Sequence, residues 1–203
     1  ALFALQAARV KHMSINEGQH FARELSSIPD KVSAFLELTK DGSSPISEAL
    51  DKVTRWVCDS NCTIFLGRGV SSHVASEGAL KLMEVAYIPC IAYPSGELKH
   101  GPIALIEDGT PVIAVAPKDE TIGLMESSIR ECRTRGAKII LITDQEGPIT
   151  DIADEVLITQ SSGRECSPMI NVVPLQFLAY HLAVKKGLNV DRPRNLAKSV
   201  TVV

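Results

Sequence analysis

The spacing of apolar positions changes period several times along the chain, and each change marks an element. Leu2, Leu5, Ala8 and Val10 are apolar while Arg9 and Lys11 face outward, which predicts that Ala1 to His12 forms the last turns of a helix. A second helix is predicted over Gly18 to Leu38, interrupted near Pro29, where Ser26-Ser27-Ile28 supply stop and restart signals. Asp41-Gly42-Ser43-Ser44-Pro45 then reads as a linker. The expected organisation is a helical segment with linker over 1–44, a main domain over 45–190 and a tail over 191–203.

Within the main domain helix and strand alternate. Helical spacing over Ile46 to Val57 gives way to the short apolar run Thr63-Ile64-Phe65-Leu66, and Val74 to Ala86 returns to a helical period. Strands are expected at Cys90 to Tyr93, Pro111 to Ala116, Lys138 to Thr143 and Glu155 to Thr159. Helices are expected at Glu120 to Arg135, stopped by Gly136, and at Pro168 to Lys186, closed by Gly187. Five apolar strands separated by helices predict an α/β fold, a three-layer αβα sandwich around a five-stranded parallel sheet.

Composition narrows the possible partners. An apolar share of 45% supports a real core, and a net charge of −3 argues against nucleic acid, whose phosphates call for a basic surface. The longest apolar runs fall far short of the roughly 20 residues of a membrane span, and ALFALQAARVKH carries no cleavage-like site, so neither a membrane partner nor a signal peptide is expected. Cys58, Cys62, Cys90, Cys132 and Cys166 form no C-x-x-C pair, which indicates neither a zinc site nor a disulfide framework. They read as reduced thiols of a cytoplasmic protein. Cys90 lies nearest the charged stretch and is a candidate nucleophile.

Candidate chemistry concentrates between Glu77 and Pro102. If Ser72 to Ala86 is helical, Glu77, Lys81 and Glu84 share one stripe, with Ala75, Ala79, Leu82, Met83 and Ala86 free to pack on a sheet. By spacing alone such a stripe is more often a solvated face worth a few tenths of a kcal/mol. Gly96-Glu97-Leu98-Lys99-His100-Gly101-Pro102 brackets a charged tetrapeptide between glycines, so His100 is an exposed loop residue, a capping group or a catalytic base. Gly67-Arg68-Gly69-Val70-Ser71-Ser72 opens a helix after a strand, a place where backbone amides could meet an anion, yet it matches no dinucleotide or P-loop pattern and reads somewhat better as a tight turn without a ligand. The polar tail ends in Lys198 between small residues, either a frayed end or a carrier for an amine.

Taken together, LGRG at Leu66 to Gly69, EGALKLMEVAYI at Glu77 to Ile88, GELKHGPIALI at Gly96 to Ile106 and DRPRNLAKSVTV at Asp191 to Val202 resemble the C-terminal isomerase region of the glutamine:fructose-6-phosphate aminotransferase family. The resemblance implies a flavodoxin-like sugar-isomerase (SIS) domain, the second of two, with residues 1–44 left from the first and a glutaminase domain further upstream. It implies that Glu84 carries a proton between C1 and C2 of the open-chain sugar, a role that asks for a carboxylate withdrawn from water. His100 would help open the sugar ring in a neighbouring subunit, and Lys198 would form a Schiff base with the C2 ketone. Glu77, Lys81 and Ala197 match positions that touch the sugar. Implied as well are fructose 6-phosphate as substrate, a homodimer, and no metal or organic cofactor. Because the family grips the sugar phosphate with its first SIS domain, the resemblance weakens the anion reading of Gly67 to Ser72. A phosphosugar-binding module without chemistry and a related sugar isomerase or deglycase are the alternatives; a pure sensor has no use for a proton carrier together with an imine-forming amine.

Overall fold

β-Branched and aliphatic runs too short for helices form the sheet, and the helices cover its two faces. The computed structural model describes residues 1–40 and 42–196. Its strands are β1 (Thr63–Gly67), β2 (Cys90–Pro94), β3 (Pro111–Val115), β4 (Lys138–Thr143) and β5 (Glu155–Ile158). They lie in the order β2-β1-β3-β4-β5, and every neighbouring pair is parallel, with Ile64 opposite Val112, Ile113 opposite Ile140 and Ile142 opposite Leu157. That order is the flavodoxin-like one, with its reversal between β1 and β3. Parallel neighbours need crossovers, supplied here by α4 (Val70–Lys81) from β1 to β2, by α5 (Ile122–Arg133) from β3 to β4 and by short 3-10 turns elsewhere, while α3 (Pro45–Asp59) precedes β1 and α6 (Ser167–Lys185) follows β5.

Strand periodicity sends alternate side chains into two separate cores. On one face Phe65, Ile113, Ile140, Ile142 and Leu157 pack under α3, α4 and α6, meeting Leu50, Val53, Ala75, Leu82, Leu178 and Leu182. On the other, Ile64, Val112, Ile139 and Leu141 meet Met125, Ile129 and Cys132 of α5, together with Leu98 and Ile149 from short turns. The three-layer αβα sandwich expected from the alternation is therefore present.

Local signals explain the helix ends. Ser44 caps α3, its hydroxyl accepting the Ser47 amide at 3.2 Å, and Pro45 takes the first position, where no amide is missed. At the far end of α6, Gly187 adopts φ 68° and the Leu188 amide donates to the Ala183 carbonyl at 2.9 Å, closing the helix as its glycine predicts.

One helical expectation needs correction. The second helix, α2 (Ile15–Lys40), runs without interruption through Pro29. Pro29 lies on the exposed face, where water can satisfy the carbonyl that loses its donor, and the Ser27 hydroxyl turns inward on the helix to donate to the Glu24 carbonyl at 2.7 Å. The restart signals thus stay inside one helix. Before it, α1 (Leu2–Lys11) forms as expected but buries none of its side chains, leaving Leu2 and Phe3 open to solvent.

Candidate active site

The segment that follows β1 departs from a plain α-helix where the chemistry lies. Gly67 ends the strand at a point where a Cβ would meet the Ser71 carbonyl oxygen at 2.2 Å, so only glycine lets the chain fold back this tightly into α4. After Lys81 the helix widens into a π-turn, Leu82–Ala86, and stops at Tyr87 in the left-handed conformation at φ 56°. A π-turn inserts one residue into a helix and shifts every later side chain around the axis; such turns are frequent at functional sites. Here the shift turns Met83 outward, 41% exposed, instead of onto the sheet as the helical spacing predicts.

Glu77, Lys81 and Glu84 come together across this turn. The Lys81 ammonium lies 2.7 Å from the Glu84 carboxylate and 3.4 Å from that of Glu77. Hydrogen bonding to Glu84 and then the charge of Glu77 push Lys81 above its ordinary value against the opposing effect of burial, so the group is a fixed cation at neutral pH. The cluster faces an open surface: Glu84 remains 29% exposed in this chain, so the withdrawal from water expected of it is incomplete without a further covering surface.

Connectivity places the cluster at the amino end of the sheet. α4 starts beside the carboxyl end of β1 and runs back to the start of β2, and α6 likewise ends there, its neighbour Lys186 donating to the Ala86 carbonyl at 2.7 Å. The tail reaches the same place. The Arg194 amide donates to the Tyr87 phenol oxygen at 2.7 Å, and the Arg194 guanidinium lies 4.1 Å from the centre of the Tyr87 ring. Neither Tyr87 nor Arg194 stood out in the sequence. Left-handed backbone is seldom adopted by an aromatic residue, and the tail carries no period to read. Lys198 and Ala197 lie outside the described residues.

His100 is on the other side of the sheet, in the crossover between β2 and β3. It closes a 3-10 turn, Ser95–His100, that follows the carboxyl end of β2, and it is exposed, without a hydrogen-bond partner among the described residues. The turn is held through Ser95, which is 3% exposed: its hydroxyl accepts from Arg68 at 3.3 Å and its carbonyl from the Ser128 hydroxyl at 3.4 Å, while Leu98 plugs the core. Gly101 follows at φ 146°, a conformation that its glycine permits. Within one chain His100 and Glu84 thus belong to elements packed against opposite faces of the sheet.

Other sequence candidates fall away. Burial pushes the Cys90 thiol up to about 12, leaving no thiolate for a nucleophile at neutral pH. Beside Gly69 to Ser71 the crevice at the carboxyl ends of the strands holds only about 30 Å3. Two of the first α4 amides, those of Ser71 and Ser72, already donate to the Arg68 and Gly69 carbonyls. A tight turn describes Gly67 to Ser72 better than an anion site. Among the described residues no three His, Cys, Asp or Glu side chains cluster as a metal would require, and no helix is long and apolar enough to cross a membrane.

Comparison with known proteins gives this geometry a context. The SIS domain model matches residues 58–186, from the end of α3 to the end of α6. The chain belongs to the SIS-domain family. It is 42% identical over 205 residues to a glutamine–fructose-6-phosphate aminotransferase (isomerizing) of Bradyrhizobium diazoefficiens, and 44% identical over 207 residues to its counterpart in Leifsonia xyli, each match taking in 99% of this chain. Among solved structures, the C-terminal domain of glucosamine-fructose-6-phosphate aminotransferase from Francisella tularensis superposes with a TM-score of 0.83 at 36% identity, over 94% of this chain and 52% of that one. This SIS domain therefore matches the C-terminal region of that aminotransferase in sequence and in fold. It spans 32% of the length of the curated relatives.

Proposed function

We propose that this chain is the second SIS module of a glutamine–fructose-6-phosphate aminotransferase and supplies most of the groups that turn fructose 6-phosphate and ammonia into glucosamine 6-phosphate. The observation that carries the reading is the meeting of the Glu77-Lys81-Glu84 cluster and the tail at one end of the sheet. Arg194 is docked on Tyr87, three residues past Glu84, and Lys198 follows four residues later, a span of at most about 14 Å of extended chain. This docking supports the reading that a carboxylate and an amine are offered to one ligand of six carbons.

The chemistry runs as follows. His100 passes a proton from the anomeric hydroxyl to the ring oxygen, and the open-chain ketone results. The Lys198 amine adds to C2 and water leaves, forming an imine. Ammonia displaces the lysine amine, leaving the fructosimine. Glu84 removes a proton from C1 and delivers it to C2; as the C1 hydroxyl loses its proton and the nitrogen gains one, the product is the aldehyde of glucosamine 6-phosphate. Lys81, held as a cation, fixes the Glu84 carboxylate and accompanies the negative charge that develops at C1. Glu77 and Ala197 contact the sugar. Residues 1–44 come from the preceding SIS module, the domain expected to grip the phosphate, and ammonia comes from a glutaminase domain further upstream.

Borohydride reduction in the full-length enzyme tests the roles separately. Lys198→Ala is expected to abolish trapping of the sugar, whereas Glu84→Gln is expected to keep trapping while isomerisation stops. Equal trapping by the unaltered enzyme and Lys198→Ala would remove the imine from the account.

A further inference from the structure

The geometry points to Tyr87 as a positioning residue whose side chain clasps the polypeptide ahead of Lys198 and fixes where the tail's amine is delivered beside Glu84. This inference rests on the imine role proposed above and adds to it a residue that never touches the sugar.

Two contacts make the clasp. The phenol oxygen of Tyr87 accepts the Arg194 amide at 2.7 Å, and the Arg194 guanidinium stacks over the same ring at 4.1 Å from its centre. One is a backbone bond, indifferent to the side chain at 194; the other is a cation–π contact that arginine makes well. Both ends are held in turn. Asn189 bends the chain after α6 by accepting the Asp191 and Arg192 amides on Oδ1 at 3.0 and 3.1 Å, and this directs the segment back toward the π-turn.

Backbone conformation marks the same spot independently. Among the described residues only two that are not glycine have positive φ, Tyr87 at 56° and Asn195 at 61°. One carries the phenol and the other follows the residue the phenol holds. A bulky residue in left-handed backbone is strained, and such strain persists where the surroundings over-determine it. At Tyr87 the strain follows from the π-turn: the widened helix ends with the Tyr87 amide bonded to the Leu82 carbonyl, and the left-handed step sends the ring out over the tail and not along the helix. Glu84 lies inside that π-turn. A single local distortion therefore sets both the direction of the carboxylate and the anchor of the tail at Arg194.

The test uses the full-length enzyme and fructose 6-phosphate, with Tyr87→Ala, Tyr87→Phe and Arg194→Ala. Three readouts are borohydride trapping at Lys198, kcat against KM, and amide hydrogen exchange of the peptide covering 189–203. Tyr87→Ala is expected to slow trapping and kcat about tenfold or more, as misplacement of a reacting group does, with KM moved less and exchange in the tail peptide accelerated. Tyr87→Phe, which keeps the ring and loses the acceptor, and Arg194→Ala, which keeps the amide bond and loses the guanidinium, are expected to fall between. Trapping at the unaltered rate in a folded Tyr87→Ala enzyme overturns the inference; should that variant fail to fold, unaltered trapping and exchange in both milder variants overturn it instead. If the unaltered enzyme shows no adduct at Lys198, the imine reading fails by itself, and exchange still decides the clasp: a tail no less protected in Tyr87→Ala than in the unaltered enzyme refutes it.

Discussion

Single residues decide whether α4 can sit where the chemistry needs it. Gly78 faces α6, and a Cβ there would stand 2.6 Å from Leu175 Cδ1 and 3.0 Å from Leu175 Cβ. Leu175 or the two helices would have to shift. Gly78→Ala is accordingly expected to lower stability by about 1–3 kcal/mol through overpacking, outweighing the better helix propensity of alanine, and denaturant unfolding measures it; an unchanged or higher stability would show that Leu175 yields freely. At this scale the sequence was partly readable. The Glu77-Lys81-Glu84 stripe follows from helical spacing and is present as ion pairs, although the π-turn brings Glu84 to Lys81 with a closer contact than Glu77 makes. Nothing in LMEVAY announces an extra residue in the turn, since a π-turn arises from packing at the helix end and has no spacing of its own. Tyr87 was illegible for a related reason: left-handed backbone is normally signalled by glycine or asparagine.

The elements themselves were written plainly. PVIAV and KIILIT are fully or nearly fully buried β-branched runs, and the two faces of the sheet separate their alternate residues as period two demands. Pro29 misled because proline normally stops a helix, whereas here it lies on the exposed face of α2, where water can satisfy the freed carbonyl. The α6 helix, which carries the tail to Tyr87, is held by its buried side, where Leu178 is 0% exposed between the sheet and α4. Leu178→Ala is expected to cost about 2–5 kcal/mol, transfer and cavity together. Chemical denaturation of the purified chain reads this, and a loss below 1 kcal/mol would mean that α6 can collapse onto its neighbours.

At the scale of the whole molecule, α2 is tied to the SIS domain by Phe35 in the core and by one carboxylate. Glu24 accepts from the Gly163 amide at 3.1 Å, the Ser162 hydroxyl at 3.0 Å and Lys31 at 3.2 Å, and these bonds, the amide's first, lower it from 4.5 to about 2. Because the folded value is depressed, the stabilisation is present above the ordinary value and is lost as pH falls from about 4.5 toward 2. Glu24→Gln should lower the midpoint of thermal unfolding at pH 7 and lose most of that difference at about pH 3; an equal deficit at both would place the effect elsewhere.

Glu84 and His100 stand on the two faces of the sheet. Glu84 and the docked tail lie with the elements on one face and His100 with those on the other, and we propose that a site using them all takes its histidine from a neighbouring subunit. Mixing full-length Glu84→Gln enzyme with full-length His100→Ala enzyme, under conditions where tagged subunits are seen to exchange, tests this directly. Neither variant alone should turn over fructose 6-phosphate. In a twofold mixed dimer one site keeps both groups intact, and random exchange is expected to restore about a quarter of the unaltered activity. No recovery, with exchange demonstrated, would contradict the account, since it would place both residues in the site of a single chain.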